Sequence, residues 1–426
     1  MFFNGGSLAQ FHLGTLANYS YLLCSSAGAI LVDPGRNLQK YEDFLENNQI
    51  ELCGVFLTHM HEDQICGHTS AGKKYSIPVY VSRNARAAFP HVDIDDDAVF
   101  NFGRLKLHFF YTPGHSGDSV CMAAGVDPDT PDMLFVGDAL CINESDPEWL
   151  HHFAGLPGKT RLYPAHENPL YHNSWTTWEE ERCSNPVFNH HKKFPPLPEY
   201  LHGTSGSFSR CEMNRKGPDE VDHLHPFIPA DPENVSGEVI DIRSPGRYAA
   251  AHIPGSMNVD ANGKLEQWIG RIIDPVTTVV TLVGDSEHTI ANAAERLQEI
   301  GCTPRGIVFR NYFEHNNPVA HIDLIPPEQL KEMQQQHPLI IDVRSRTDFD
   351  KGHIPDAENI PLKQLAENPN ILPRDRRIVV VCGTGFLSGI ACGLLEKAQF
   401  KDVCFLNGGT AGWLENGNRI TRKKAV

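Results

Sequence analysis

The sequence predicts an α/β protein in three consecutive parts, the last two with mainly parallel sheets. Three observations carry this. From Ala27 to about Leu170, short apolar strands each run into a polar or charged cluster. Beyond a Pro-rich stretch, two segments show the same three landmarks in the same order. In both, apolar strands alternate with helical stretches, Ile290 to Ile300 and Ser388 to Lys397, the pattern of a parallel sheet covered by helices. At 426 residues the chain exceeds the size at which one hydrophobic core stops growing, so about two to four domains are expected.

The strands of the first part read Ala29 to Val32, Gly54 to Leu57, Pro78 to Val81, Leu105 to Phe110, Met133 to Val136 and Arg161 to Tyr163. The clusters after them carry the chemistry: Asp33-Pro-Gly35, Thr58-His-Met-His-Glu-Asp63, Thr112-Pro-Gly-His115, Gly137-Asp138 and Pro164-Ala-His166. Side chains at strand ends of an α/β fold line one shared crevice, so these clusters can meet.

Around Lys192-Lys-Phe-Pro-Pro-Leu-Pro-Glu-Tyr200 the pattern fails, and residues 185–225 read as a connector. The first repeat then carries Gly237-Glu-Val-Ile-Asp-Ile-Arg243, Ala251-His-Ile-Pro-Gly255 and Thr278 to Val283. The second carries Pro338-Leu-Ile-Ile-Asp-Val-Arg344, Gly352-His-Ile-Pro355 and Ile378 to Cys382. The expected boundaries are therefore 1–184, a connector 185–225, then 226–318 and 323–422.

A formal net charge of -16 excludes nucleic acid as a main partner, because phosphate binding needs clustered Lys and Arg. The one basic run, Arg419 to Lys424, reads as a solvated tail. No stretch of about 18 apolar residues appears, and Met1-Phe-Phe-Asn-Gly-Gly-Ser7 lacks the pattern of a signal peptide, so a cytoplasmic, membrane-free protein is expected. Eleven cysteines without paired spacing fit a reducing compartment, and most, Cys392 and Cys404 among them, are expected as small buried hydrophobes.

In His59-Met-His61-Glu-Asp63 three metal-ligand types recur every second residue, which in extended chain places them on one side. His115, Asp138 and His166 join them from other strand ends. One histidine alone reads as structural; six converging ligand types read as a metal site. His68, His151, His190 and His191 lack this placement and are expected on the surface.

On these residues the segment from Leu8 to Leu170 resembles the metallo-β-lactamase superfamily, whose signature is His-x-His-x-Asp-His, and the resemblance implies an αβ/βα sandwich. The sequence departs at the last position, which is Gln64. In the superfamily that histidine serves a second metal, and an amide is a poor ligand beside imidazole. The resemblance then singles out the persulfide dioxygenases of the superfamily, which hold one ferrous iron with two histidines and a carboxylate. Carried over by position, the ligands are His59, His115 and Asp138, leaving three coordination positions for dioxygen and a thiolate-type sulfur. His61, Asp63 and His166 would orient those ligands and hold water. The alternative is a zinc-dependent thioester hydrolase of the glyoxalase II type. Gln64 weakens its two-metal form and leaves a one-zinc form open.

The connector, Pro195-Pro-Leu-Pro-Glu-Tyr-Leu201 and then Met213-Asn-Arg-Lys-Gly-Pro218, resembles the link in bacterial persulfide dioxygenases fused to rhodanese domains. Where those enzymes continue after the Gly-Asp with Gly-Arg-Pro-Asp, this chain has Ala139-Leu-Cys-Ile-Asn-Glu-Ser-Asp146. Both C-terminal segments resemble rhodanese domains through the Asp-x-Arg strand end, the Gly-His-Ile-Pro turn and, in the second, Asn407-Gly-Gly-Thr-Ala-Gly-Trp413. The resemblance places the catalytic cysteine at Cys382, after the central strand and before a helix whose N-terminus and loop N–H groups favour a thiolate. Its sulfur-transfer loop is Gly383, Thr384, Gly385, Phe386, Leu387 and Ser388, with no arginine for an anionic donor. In the first repeat the matching position falls at Val283 or Gly284, so that domain is expected to be silent and to serve as spacer, dimer contact or cleft wall.

The resulting expectation is a persulfide dioxygenase with one Fe(II) per chain, or alternatively Zn, fused to a sulfurtransferase. Its partners are a low-molecular-weight persulfide on glutathione, coenzyme A or a similar thiol, dioxygen and sulfite, with a homo-oligomer left open.

Overall fold

Two sheets face each other in the first part of the computed structural model, which describes residues 1–13, 18–140, 148–166, 174–185, 188, 207–219 and 226–422. The first sheet has seven strands in chain order: Phe2–Phe3, Gly6–His12, Tyr19–Ser25, Gly28–Val32, Leu52–Phe56, Val79–Ser82 and Val92–Ile94. Its first four strands pair antiparallel as hairpins and the rest parallel. The second runs Thr176–Thr177, Arg161–Pro164, Met133–Gly137, Val120–Gly125, Leu105–Tyr111 and Val99–Phe102.

Side-chain alternation along these strands makes the layers. Tyr21, Leu23, Ile30, Val32 and Phe56 point inward to meet Leu107, Phe109, Met122, Phe135 and Tyr163 of the other sheet. Their neighbours Leu22, Cys24, Leu31 and Val55 point outward under helix residues Tyr41, Leu45 and Ala71. On the far side Cys121, Leu134 and Val136 are covered by Trp149, Phe153 and Trp178. Strands buried on both faces read as unbroken apolar runs, which is why Ala29 to Val32 and Met133 to Val136 were legible.

The second part contains two five-stranded, all-parallel sheets of one topology. The first sheet runs Ile228–Pro229, Arg305–Val308, Val280–Gly284, Glu238–Asp241, Met257–Asn258; the second runs Asp323–Ile325, Val403–Leu406, Ile378–Val381, Leu339–Asp342, Ala357–Asn359. The repeat extends to single hydrogen bonds. Arg243 Nη2 donates to Asp241 and to Ala251 O, as Arg344 Nη2 does to Asp342 and to Gly352 O. Asn258 donates to Asp241 O and Arg243 O, as Asn359 does to Asp342 O and Arg344 O. The Asp-x-Arg landmark is therefore a structural clamp that ties a strand end to the Gly-His-Ile-Pro turn.

Compact units form from Met1–Asp222 with Gln298–Gly301, and from His223–Leu297 with Cys302–Val426. Within the stretch expected to be connector, Ser207–Lys216 is a helix of the first unit; the Pro-rich run at 191–206 lies outside the described residues. So do His190, His191 and residues 141–146. Among the described residues no helix is long and apolar enough to cross a membrane, and all ten described cysteines are free.

Candidate functional site

The metal-ligand types sit where strands stop. His59 follows Leu52–Phe56, His115 follows Leu105–Tyr111, and Asp138 follows Met133–Gly137 directly. One ligand atom from each of His59, His115 and Asp138 lies within 4.8 Å of the other two. Asp138 Oδ2 is 3.6 Å from His59 Nε2 and 3.3 Å from His115 Nε2. This close approach requires a glycine before the aspartate. Gly137 has φ +51°, and a Cβ there would lie 2.6 Å from Thr58 Oγ1. Two imidazoles and a carboxylate around one point form a donor set that fits a divalent transition metal.

Hydrogen bonds fix how His59 presents itself. Thr58 Oγ1 donates to Asp33 Oδ2 at 2.8 Å, so its lone pair accepts from His59 Nδ1 at 3.0 Å. That leaves His59 Nε2 as the unprotonated nitrogen facing Asp138, the form a metal needs. Burial, reinforced by neighbouring His61, pushes the His59 pKa down to about 3, against Asp138. Burial opposes the charge on Asp138, but His166 and then His115 outweigh it and hold the carboxyl well below the usual range.

The other three expected residues surround this centre. His166 Nδ1 lies 2.6 Å from Asp138 Oδ1, and its Nε2 lies 2.7 Å from Asp63 Oδ2. Burial disfavours the imidazolium of His166, yet Asp138 and Asp63 together raise its pKa well above the ordinary value. His61 packs against His59 with ring centroids 4.1 Å apart, and its Nε2 is 3.1 Å from Asp33 Oδ1. Asp33 was not singled out in the sequence as a site residue. Its signal was its place after Gly28–Val32, and the structure uses it to hold Thr58 and His61 together.

His68 corrects the expectation of a surface histidine: it is fully buried, against the Phe89 ring. His151 is exposed as expected. Gln64 is also fully buried, with its Nε2 4.0 Å from Cys66 Sγ and no partner for its Oε1 among the described residues.

In the second unit Cys382 follows Ile378–Val381 and is buried. Gly385 N donates to its Sγ at 3.1 Å, so the loop does turn an N–H group onto the sulfur. Thr410 N and Ala411 N grip Cys382 O and Gly383 O from the Asn407-Gly-Gly turn. Phe386, Leu387 and Ser388 begin the helix Phe386–Lys397. The loop has no arginine of its own, but Arg344 stands beside it: a Cβ on Gly383 would lie 3.9 Å from Arg344 Cδ. That guanidinium is already committed to Asp342. Sheet register settles the equivalent position in the first repeat. Asp342 pairs with Val381 and Asp241 with Val283, so Gly284 stands where Cys382 does.

Family comparisons agree with this architecture. Residues 13–182 match the metallo-beta-lactamase superfamily, and residues 229–313 and 326–416 each match the rhodanese-like domain. The chain carries a metallo-β-lactamase domain and two rhodanese domains. A metallo-beta-lactamase from Staphylococcus aureus subsp. aureus COL shares the fold, with TM-score 0.61 at 20% identity over 71% of this chain and 99% of that one. The hydroxyacylglutathione hydrolase of Chromohalobacter salexigens is 33% identical over 168 residues, covering 36% of this chain and 63% of that protein. The one from Francisella tularensis subsp. novicida is 28% identical over 166 residues, covering 36% and 64%. This chain thus spans under two thirds of the length of these relatives.

The two rhodanese domains meet along the helix that carries the cysteine loop. Gly389 and Gly393 let it approach the first domain closely, since a Cβ at Gly393 would lie 2.4 Å from Ser256 O and one at Gly389 2.8 Å from Asn258 Oδ1. The Phe386 ring lies over Gly263, and Glu396 accepts from Gly255 N and pairs with His252. Residues 386, 389, 393 and 396 share one helix face. The domain with Gly284 at the loop position therefore holds the helix on which the other domain's cysteine loop is built.

Proposed function

We propose that this protein oxidises a low-molecular-weight thiol persulfide with dioxygen at one non-heme iron, giving sulfite and the free thiol, and that Cys382 passes sulfane sulfur onward. One observation carries the single-metal reading. His166 engages Asp138 with one nitrogen and Asp63 with the other, while Gln64 offers no imidazole. Asp63 and His166, which a second metal would need, are thus tied to one another, while Asp138 Oδ2, His59 Nε2 and His115 Nε2 face one point as a three-ligand set.

Ferrous iron held by those three would supply the redox chemistry with dioxygen and a sulfur ligand. The chain's own residues orient and exclude. Thr58 and Asp33 keep His59 in the tautomer with a free Nε2, and His166 keeps Asp138 ionised and aimed. In balance, R–S–SH + O2 + H2O gives R–SH and sulfite with two protons. At Cys382 a thiolate would take the outer sulfur of a persulfide, and sulfite would remove it as thiosulfate, restoring the thiolate. Arg344, neutralised by Asp342, offers an anionic donor little attraction, and Phe386 and Leu387 favour a bulkier one. The proposal includes a reducing, cytoplasmic setting, which the free thiols support.

The test is dioxygen uptake by the iron-loaded full chain with glutathione persulfide and coenzyme A persulfide, with sulfite and thiosulfate measured. Uptake matched by sulfite is the expected result. A second reading, a zinc thioester hydrolase fused to a sulfurtransferase, is favoured by the name of the hydroxyacylglutathione hydrolases that match the first domain. Zinc-loaded protein that cleaves S-lactoylglutathione and consumes no dioxygen would replace the first reading with this one.

A further inference from the structure

The segment that carries the metal ligands, Thr58 to Cys66, belongs to no helix or strand. Its backbone N–H and C=O groups are buried with it and must find partners elsewhere. The partners come from outside in an ordered way. Asp33 takes Thr58 N at 2.8 Å and Asp118 takes Met60 N at 2.9 Å. Beyond Met60, Ile65 N donates to Glu299 O at 2.7 Å, and His61 O, Glu62 O, Gln64 O and Cys66 N are held by the helix Ser207–Lys216, more than 140 residues away in sequence.

Asn214 is fully buried and spends its side-chain amide on three backbone groups of this segment. Its Nδ2 donates to His61 O and to Gln64 O, both at 2.9 Å, and its Oδ1 accepts from Cys66 N at 2.8 Å. Arg210, exposed by only 1%, donates from Nε to Glu62 O at 2.7 Å. The helix is fastened separately to the rest of the unit: Arg215 Nε donates to Ala85 O, Ala88 N to Arg215 O, and Thr69 Oγ1 to Pro218 O. It is a fixed support with two side chains reaching into the ligand loop.

We propose that Asn214 and Arg210 are positioning residues for the metal centre. By fixing the backbone from His61 to Cys66, they set the directions of His61, which packs against His59, and of Asp63, which holds His166 against Asp138. With Gln64 in place of an imidazole, no ligand bond restrains the stretch after Asp63, and Asn214 restrains it through Gln64 O and Cys66 N, beside the bond from Ile65 N to Glu299 O. The inference rests on the reading of His59, His115 and Asp138 as metal ligands and is independent of the reaction catalysed there.

Cobalt(II) titration of the metal-free full chain tests it, read by the visible absorption of the bound ion and by its dissociation constant. Asn214→Ala is expected to weaken cobalt binding roughly 10- to 100-fold and to change the absorption bands, the scale seen when residues supporting metal ligands are lost. Arg215→Met, which loosens the helix without touching the segment, controls for general destabilisation and is expected to keep affinity and bands. If Asn214→Ala fails to fold, Asn214→Asp has nearly the same volume, keeps the acceptor for Cys66 N, loses both donors, and is expected to shift the bands. Folded Asn214 variants with wild-type affinity and bands, or changes no larger than those of Arg215→Met, overturn the proposal. Wild-type protein that takes up no cobalt, or takes it up equally after His59→Ala, would instead sink the metal-ligand reading beneath it.

Discussion

His166 Nδ1 lies 2.6 Å from Asp138 Oδ1, so the carboxylate that faces His59 and His115 with one oxygen is gripped by an imidazole on the other. The two residues therefore differ in kind. Asp138→Ala removes a ligand and is expected to leave the purified chain without its metal. His166→Ala removes only the grip and is expected to lower affinity roughly 10- to 100-fold while binding persists at high metal concentration. Metal content by elemental analysis, at low and high free metal, separates the two. Equal loss in both variants would make His166 a ligand.

Gln64→His tests the proposal of a single metal per chain. Gln64 is fully buried, its Oε1 has no partner among the described residues, and Asp63 and His166 are neighbours of each other. Restoring an imidazole is expected to raise the metal-to-chain ratio from about one towards two in excess zinc. A ratio that stays at one would show that the Asp63–His166 contact, not Gln64, limits the site.

Cys382→Ser should separate the two chemistries. With Gly284 at the equivalent position of the first repeat, the chain has no other cysteine in a rhodanese loop. Thiosulfate formation is expected to stop, while dioxygen uptake and sulfite release from a persulfide continue at wild-type rate. Mass spectrometry of the chain after donor treatment should show the added sulfur only when Cys382 is present.

How much of this was legible in the sequence follows from what each element is made of. Met133 to Val136 and Ile378 to Val381, buried on both faces, announce themselves as apolar runs; Asp138 follows the first after Gly137 and Cys382 the second directly, while His59 and His115 lie a few residues beyond Leu52–Phe56 and Leu105–Tyr111. Val120–Gly125 is equally buried but reads Val-Cys-Met-Ala-Ala-Gly, with one β-branched residue, so propensity does not mark it. Asn214 and Arg210 sit in a helix of polar residues beside a Pro-rich stretch, and nothing local shows that they reach a loop far away in the chain. His68 was hidden for the same reason: its burial is a tertiary fact, set by packing on Phe89.

His68 also sets a pH dependence. Burial pushes its pKa from 6.5 down to about 3. As pH falls below the ordinary value, the unfolded chain binds a proton there and the folded chain does not. Stability is therefore intact above about pH 6.5 and is lost progressively towards pH 3, with a cost of about 2 kcal/mol at about pH 5. Denaturant midpoints of wild type and His68→Gln at pH 7 and pH 5 check this. The wild type is expected to lose more stability between the two, by about that amount; equal slopes would assign the titration elsewhere.

Gly393→Ala tests whether the first rhodanese domain matters to the second. In a helix interior alanine is favoured over glycine by about 1 kcal/mol, so an isolated helix would gain from the change. Here the new Cβ would lie 2.4 Å from Ser256 O, a backbone atom that cannot swing aside, whereas at Gly263 the opposing group is the rotatable Phe386 ring. Gly393→Ala is therefore expected to destabilise the protein by about 1–3 kcal/mol and to push the Phe386–Lys397 helix away from the first domain. Because that helix begins at the end of the cysteine loop, sulfur loading of Cys382 should slow as well. Gly263→Ala should cost less stability but change the rate for bulky donors relative to thiosulfate, through the displaced Phe386. Single-turnover loading with each donor, alongside chemical denaturation, reads both effects. A Gly393→Ala protein as stable and as fast as wild type would mean that the two domains fold and act independently.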